Sequence, residues 1–122
     1  MFLSLTPLYF VLNYSLVNTE ELFLYNNSFT GVIPDVFGGL DLEEIQLQDN
    51  ALVGTIPPSL YSNTNLEKIR LDQNDLTGVI SPAIGDLTSL VDVRLSFNSF
   101  TGSIPSTFAA LTNLGKSSTP VK

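Results

Sequence analysis

The sequence predicts an α/β solenoid in which a concave parallel β-sheet is joined by irregular or 3-10 convex return segments. Three observations predict it: a segment that recurs four times at near-constant spacing, an apolar-x-apolar pair inside each copy, and a Gly-x-Ile turn that follows each pair. Fixed-period self-similarity of 20–50 residues is the signature of stacked repeats, so it governs the reading of every other feature.

The segment Leu22-Phe-Leu24-Tyr-Asn-Asn27-Ser-Phe29-Thr-Gly31-Val-Ile33-Pro34 returns as Ile45-Gln-Leu47-Gln-Asp-Asn50-Ala-Leu52-Val-Gly54-Thr-Ile56-Pro57. It returns again as Ile69-Arg-Leu71-Asp-Gln-Asn74-Asp-Leu76-Thr-Gly78-Val-Ile80, and as Val93-Arg-Leu95-Ser-Phe-Asn98-Ser-Phe100-Thr-Gly102-Ser-Ile104-Pro105. The asparagines Asn27, Asn50, Asn74 and Asn98 are 23, 24 and 24 residues apart, the short interval reflecting one residue fewer between Leu40 and Leu42.

Each position type has a physical reason. In the apolar-x-apolar pair both side chains point to one face of an extended segment, because strand side chains alternate. They fill the core, and the next repeat lays its strand alongside at roughly 4.8 Å. The asparagine falls where the strand ends and backbone groups lose sheet partners; its amide both donates and accepts, so a stacked column of them can satisfy those groups. Glycine at 31, 54, 78 and 102 allows a tight turn or close passage, and the Ile-Pro that follows favours a short extended or 3-10 return over a long helix. Further apolar columns, Phe37/Leu60/Ile84/Phe108 and Leu40/Leu87/Leu111, cover the convex side. Asn63 interrupts the second column and Ser81 replaces a proline; both read as lapses that weaken a unit.

Composition narrows the function. The chain has 122 residues, 43% hydrophobic and 14% charged, which is one domain with a core to bury. Its net charge of −7, with only Lys68, Arg70, Arg94, Lys116 and Lys122 as bases, argues against nucleic acid and against a polybasic membrane patch. With neither cysteine nor histidine, there are no Cys/His metal sites, thiol nucleophiles or histidine bases. No cofactor is expected. Residues 1–18 form a degenerate N-terminal cap or a partial signal-like segment: Phe2 to Leu12 is rich in apolar residues, but a basic start is missing and Pro7 interrupts the run. The repeats occupy 19–114, about four units and a partial fifth, and 115–122 reads as a polar tail. Four repeats without evident caps suggest a fragment that is marginally stable or self-associating alone.

The unit Leu-x-x-Leu-x-Leu-x-x-Asn-x-Leu-x-Gly-x-Ile-Pro closely resembles the plant-specific class of leucine-rich repeats of receptor-like kinases and receptor-like proteins. The resemblance spans residues 19 to 114 and is also shared with polygalacturonase-inhibiting proteins. It implies a protein-recognition scaffold, a twisted right-handed solenoid with a second small sheet near the Leu-x-Gly segment. The cysteine-paired caps usual in that class are missing, and no kinase signature follows, so kinase activity is not implied.

Binding is expected on the variable residues that flank the core leucines. Stacking gives the columns Glu21/Glu44/Lys68/Asp92, Phe23/Gln46/Arg70/Arg94, Tyr25/Gln48/Asp72/Ser96 and Asn26/Asp49/Gln73/Phe97. With Glu20, Glu43 and Glu67 at the strand starts, most of the charge lies around the strands, while the return segments hold Asp35, Asp41, Asp75 and Asp86. The candidate ligand-binding residues are Phe23, Tyr25, Gln46, Gln48, Lys68, Arg70, Asp72, Asp92, Arg94 and Phe97. Aromatics and arginine are the usual anchors of interfaces. Two guanidinium groups one strand apart can clasp a carboxylate; the competing reading is that Arg70 and Arg94 neutralise Glu44, Asp72 and Asp92 across adjacent strands.

The sequons Asn13-Tyr-Ser and Asn26-Asn-Ser are candidate glycosylation sites, and a glycan on Asn26 would stand on the same face. Carboxylate neighbours such as Glu43 and Glu44 point to opposite faces and cannot flank one bond, so an enzyme is not expected. The expected function is a protein- or peptide-binding module of a receptor-like or secreted recognition protein, extracellular or on a membrane-associated ectodomain, with any membrane attachment supplied by a segment outside this chain. The alternatives are a secreted inhibitor of a cell-wall-degrading enzyme and a cytoplasmic scaffold.

Overall fold

The computed structural model describes residues 19–116. The segment 1–18, with the candidate site Asn13, and the tail beyond residue 116 lie outside the described residues. Four three-residue strands, β1 (Glu21–Phe23), β2 (Glu44–Gln46), β4 (Lys68–Arg70) and β6 (Asp92–Arg94), form one parallel sheet in the order β1-β2-β4-β6. Two shorter strands, β3 (Val53–Gly54) and β5 (Asp75–Leu76), pair in parallel as a second sheet on the flank. Isolated parallel bridges, Val32 with Val53 and Val79 with Thr101, continue the flanking sheet into the first and last turns. The second small sheet implied by the resemblance is therefore present, and Asp75 belongs to it rather than to a convex return.

The strands stack because the repeat brings like residues into register. Leu22 pairs with Ile45, Ile45 with Ile69, and Ile69 with Val93, so one apolar row runs across the sheet. Behind it Leu47 and Leu71 are completely buried, with Leu52, Leu60, Leu66 and Leu76 closing the inner turns. Each fully buried leucine or isoleucine contributes about 1.5–3 kcal/mol through the area it removes from water. No turn can bury its own apolar face, so the core exists only between neighbours.

The convex side carries 3-10 turns at Pro58–Ser62, Pro82–Asp86 and Ser106–Ala110, with no α-helix among the described residues. Proline fits the first residue of a helical turn because the N–H it lacks has no partner there. Ser81, read from sequence as a lapse, accepts a hydrogen bond from the Ala83 N–H at 3.1 Å and so caps its turn. The returns are also stitched laterally: Asp35 Oδ1 accepts from the Ser59 N–H at 2.8 Å, and the Phe37 N–H donates to Ser59 Oγ at 3.0 Å.

The asparagine column forms the predicted ladder. Asn74 Oδ1 accepts from the Leu52 N–H of the preceding turn at 3.0 Å, while its Nδ2 donates to the carbonyls of Leu47 at 3.0 Å and Leu71 at 3.1 Å. Asn50 does the same toward Phe29, Leu24 and Leu47, and Asn98 toward Leu76, Leu71 and Leu95. Each inner carbonyl therefore accepts from its own asparagine and from that of the next turn.

Asn63 corrects the sequence reading. It is a second ladder residue rather than a lapse in a leucine column, only 1% exposed. Its Oδ1 accepts from the Leu42 N–H at 3.1 Å, and its Nδ2 donates to the carbonyls of Phe37 and Leu60, both at 3.2 Å. An aliphatic residue there could satisfy none of these groups.

Gly78 shows why the turn glycine is needed. Its φ is +80°, and a Cβ would stand 2.7 Å from Thr55 Cγ2 of the preceding turn, so the position is closed both by backbone conformation and by space. The last described turn carries an apolar recess of about 360 Å³, lined by Ile80, Val93, Leu95, Ile104, Phe108 and Leu114 among others.

Candidate ligand-binding face

The register of the main sheet builds the columns that the repeat spacing predicts. Glu21, Glu44, Lys68 and Asp92 lie side by side, and so do Phe23, Gln46, Arg70 and Arg94. Neighbours in a column are one strand spacing apart, about 4.8 Å, close enough for direct side-chain contact.

Two polar clusters result. In the first, Lys68 Nζ sits 2.8 Å from Glu44 Oε1, Gln46 Nε2 donates to Glu44 Oε2 at 3.1 Å, and Gln48 Nε2 to Gln46 Oε1 at 3.4 Å. The second is centred on Asp92. Arg70 donates to its Oδ2 through Nε at 3.0 Å and Nη2 at 2.7 Å, and Arg94 donates to its Oδ1 through Nε at 3.1 Å. The Asp92 side chain is 10% exposed, whereas those of Arg70 and Arg94 are 26% and 27% exposed, so the acid lies beneath and the bases are reached from solvent. Burial pushes the Asp92 carboxyl up, but the hydrogen bonds and charges of Arg70 and Arg94 outweigh it, leaving the group below its ordinary value.

The two sequence readings of the arginines thus meet in one arrangement. Arg70 and Arg94 do clasp a carboxylate, that of Asp92 in their own sheet. They do not neutralise Glu44, which is taken by Lys68, nor Asp72, which makes no ion pair among the described residues. Asp72 Oδ1 and Gln48 Oε1, neighbours in the third column, are both enclosed without a donor among the described residues, so this step is the least satisfied on the face.

The aromatic candidates are exposed: Phe23 45%, Tyr25 44% and Phe97 77%. Phe23 and Tyr25 stand at the first strand, two strands from Arg70, whereas Phe97 shares the last turn with Arg94. The structure therefore gathers Arg70, Asp92 and Arg94 into one cluster, keeps Lys68, Glu44, Gln46 and Gln48 in a second, and leaves the aromatics at the two ends.

Sequence reasoning missed the backbone of the fourth column. Asn26, Asp49, Gln73 and Phe97 all have φ between 55° and 60°, the left-handed region that non-glycine residues seldom adopt. Asparagine and aspartate hint at such a conformation; glutamine and phenylalanine do not. Sequence reasoning also passed over Val32, Val53 and Val79, exposed valines along the flanking sheet, 52%, 43% and 61% accessible. Their only signal was a β-branched residue beside the turn glycine. Asn26 is exposed, and its backbone N–H donates to the Gln48 carbonyl at 3.1 Å. Among the described residues no group of three acids is placed to hold a metal ion, and no helix is long and apolar enough to cross a membrane.

A solenoid of parallel strands with an asparagine ladder defines the class, and the chain belongs to the Leucine Rich Repeat family, whose pattern matches residues 18–40, 41–63, 65–87 and 89–111. It is similar to the receptor-like kinase TMK4 of Arabidopsis thaliana, 39% identical over 46 residues that make up 38% of this chain and 5% of the kinase. Among solved structures it resembles the plant peptide hormone receptor RGFR1 in complex with RGF2, with a TM-score of 0.75 and 38% identity over 77% of this chain and 15% of the receptor. It likewise resembles the ectodomain of the receptor kinase SOBIR1 from Arabidopsis thaliana, with a TM-score of 0.72 and 33% identity over 76% of this chain and 51% of that one. The chain thus spans a small part of the kinase and about half or less of these ectodomains. Its fold is that of plant receptor ectodomains, including ectodomains solved with peptide hormones bound.

Proposed function

We propose that this chain is a peptide- or protein-binding module of a plant-type receptor-like or secreted recognition protein, and that its concave sheet is the binding face. The observation that carries the reading is the juxtaposition of Arg70 and Arg94 around a largely buried Asp92. It leaves two arginine side chains, each about a quarter exposed, on a surface otherwise dominated by acids. Arginine held in place by a neighbour loses less freedom on binding and serves as an anchor. Phe23, Tyr25 and Phe97 supply apolar area at the ends of the same face, while Gln46, Gln48, Lys68 and Asp72 supply its polar contacts. The similarity to receptor ectodomains, some solved with peptide hormones, supports this class of partner and an extracellular or membrane-associated setting. Asn26 is exposed in a sequon, and a glycan there would compete with ligand contacts at the Tyr25 end of the same face while leaving the arginine end free.

The test is selection from a random peptide library displayed on phage, followed by calorimetry of the selected peptides on the purified chain. Charge reversal at Arg70 and Arg94 together should weaken those peptides at least tenfold. Undiminished binding by the reversed variant would move the site off this face.

A further inference from the structure

Asp92 was grouped by sequence with the residues that meet a ligand, yet its surroundings give it another task. Both of its carboxylate oxygens are already engaged, Oδ2 by Arg70 and Oδ1 by Arg94, and its side chain is 10% exposed. A ligand has little of Asp92 to touch. The guanidiniums are different. Each spends its Nε edge on Asp92, while Nη1 of Arg70 and both terminal nitrogens of Arg94 carry no hydrogen bond among the described residues. Two like-charged side chains at neighbouring positions of one column would otherwise repel and splay. A shared carboxylate holds them together.

We propose that Asp92 is the positioning residue of an anion seat on the concave face: it holds Arg70 and Arg94 side by side, so that their remaining N–H donors receive a carboxylate of a peptide ligand. This rests on the concave face being the binding surface. The seat carries a net charge of about +1 from two guanidiniums and one carboxylate, enough to favour an anion without a bare, self-repelling pair of cations. The carboxylate can belong to an acidic side chain or to a peptide carboxyl terminus; the chemistry recognised is the same.

The proposal differs from simple charge attraction in sign. Replacing Asp92 by alanine raises the net charge of the cluster by one, so Coulomb attraction alone would tighten the binding of an acidic peptide. Positioning predicts the opposite, because two freed arginine side chains must then be ordered by the ligand itself, a cost equivalent to about tenfold in affinity.

The experiment uses the full chain and three probes followed by NMR titration of the arginine Nε–H signals. The probes are an amidated alanine peptide with one internal aspartate, an alanine peptide with a free terminal carboxylate, and an amidated all-alanine peptide. The wild type should shift both Nε–H signals with at least one of the carboxylate probes and not with the neutral one; which of them binds identifies the source. Asp92→Ala should weaken that probe about tenfold, and Asp92→Asn, which keeps the acceptor shape, should recover part of the loss. A urea melt of each variant establishes that it is folded, and the asparagine variant carries the comparison if the alanine variant is not.

Equal or tighter binding by Asp92→Ala and Asp92→Asn, with Arg70→Ala/Arg94→Ala abolishing it, overturns the positioning role and leaves the binding face standing. Binding that survives Arg70→Ala/Arg94→Ala overturns both. Absence of any shift with either carboxylate probe overturns the seat.

Discussion

Replacing Asn74 with alanine tests the principle on which the stack depends. The residue is 7% exposed and its side chain bridges two turns. Its removal leaves the Leu52 N–H, which belongs to a fully buried residue, without an acceptor, and takes from the Leu47 and Leu71 carbonyls one of the two donors each now has. An orphaned buried donor costs about 1–3 kcal/mol and a lost ordinary hydrogen bond about 0.5–1.5 kcal/mol. The expected loss is therefore about 3 kcal/mol, a large share of the roughly 5–15 kcal/mol that keeps a domain folded. In a urea melt followed by circular dichroism the midpoint should fall by roughly 1–2 M. Asn27 is the control: the same residue in the same column, but exposed, with Nδ2 donating, among the described residues, to the Leu24 and Tyr25 carbonyls. Water can replace those bonds, so Asn27→Ala should cost less than about 1 kcal/mol. Equal losses for the two variants would refute the ladder as the source of stability.

Three further outcomes follow from the same geometry. Asn63→Leu, which would restore an unbroken leucine column, should lower the urea midpoint, because the Leu42 N–H loses its acceptor and a larger side chain must fit a filled site; a raised midpoint would return Asn63 to the status of a lapse. Gly78→Ala should destabilise by about 1–3 kcal/mol through its left-handed backbone and the contact with Thr55, measured by the same melt. The stability difference between wild type and Asp92→Asn should depend on pH. Because the folded-state carboxyl titrates below its ordinary value of 3.8, the contribution is fully present above that range and disappears as pH falls through the lowered value. A difference that grew on acidification would contradict the clasp.

Much of the candidate face could be read in advance, and the reason is mechanical. In a parallel stack of equal repeats, sequence offset translates directly into position across the sheet, so the columns of Lys68 with Asp92 and of Arg70 with Arg94 needed only the period. What the period does not contain is the choice among nearby partners. Glu44, Asp72 and Asp92 all lay within reach of the arginines on paper. Only the packed side chains assign Glu44 to Lys68 and Asp92 to both arginines, leaving Asp72 outside any ion pair. The role of Asn63 was hidden for a related reason. A polar residue in an apolar column carries no mark of what it bonds to until the return segment has bent and left the Leu42 N–H and the Phe37 carbonyl facing it.

By itself, then, the sequence determined the class of fold, the stacking register and which side chains would share a face, since all three depend on a spacing that local chemistry repeats. The tertiary structure decided which polar groups would satisfy one another, that Asn26, Asp49, Gln73 and Phe97 would take up left-handed backbone, and that the acid between two arginines would be the buried member. Those outcomes depend on distances of a few tenths of an ångström between groups from different turns, and no repeat length encodes them.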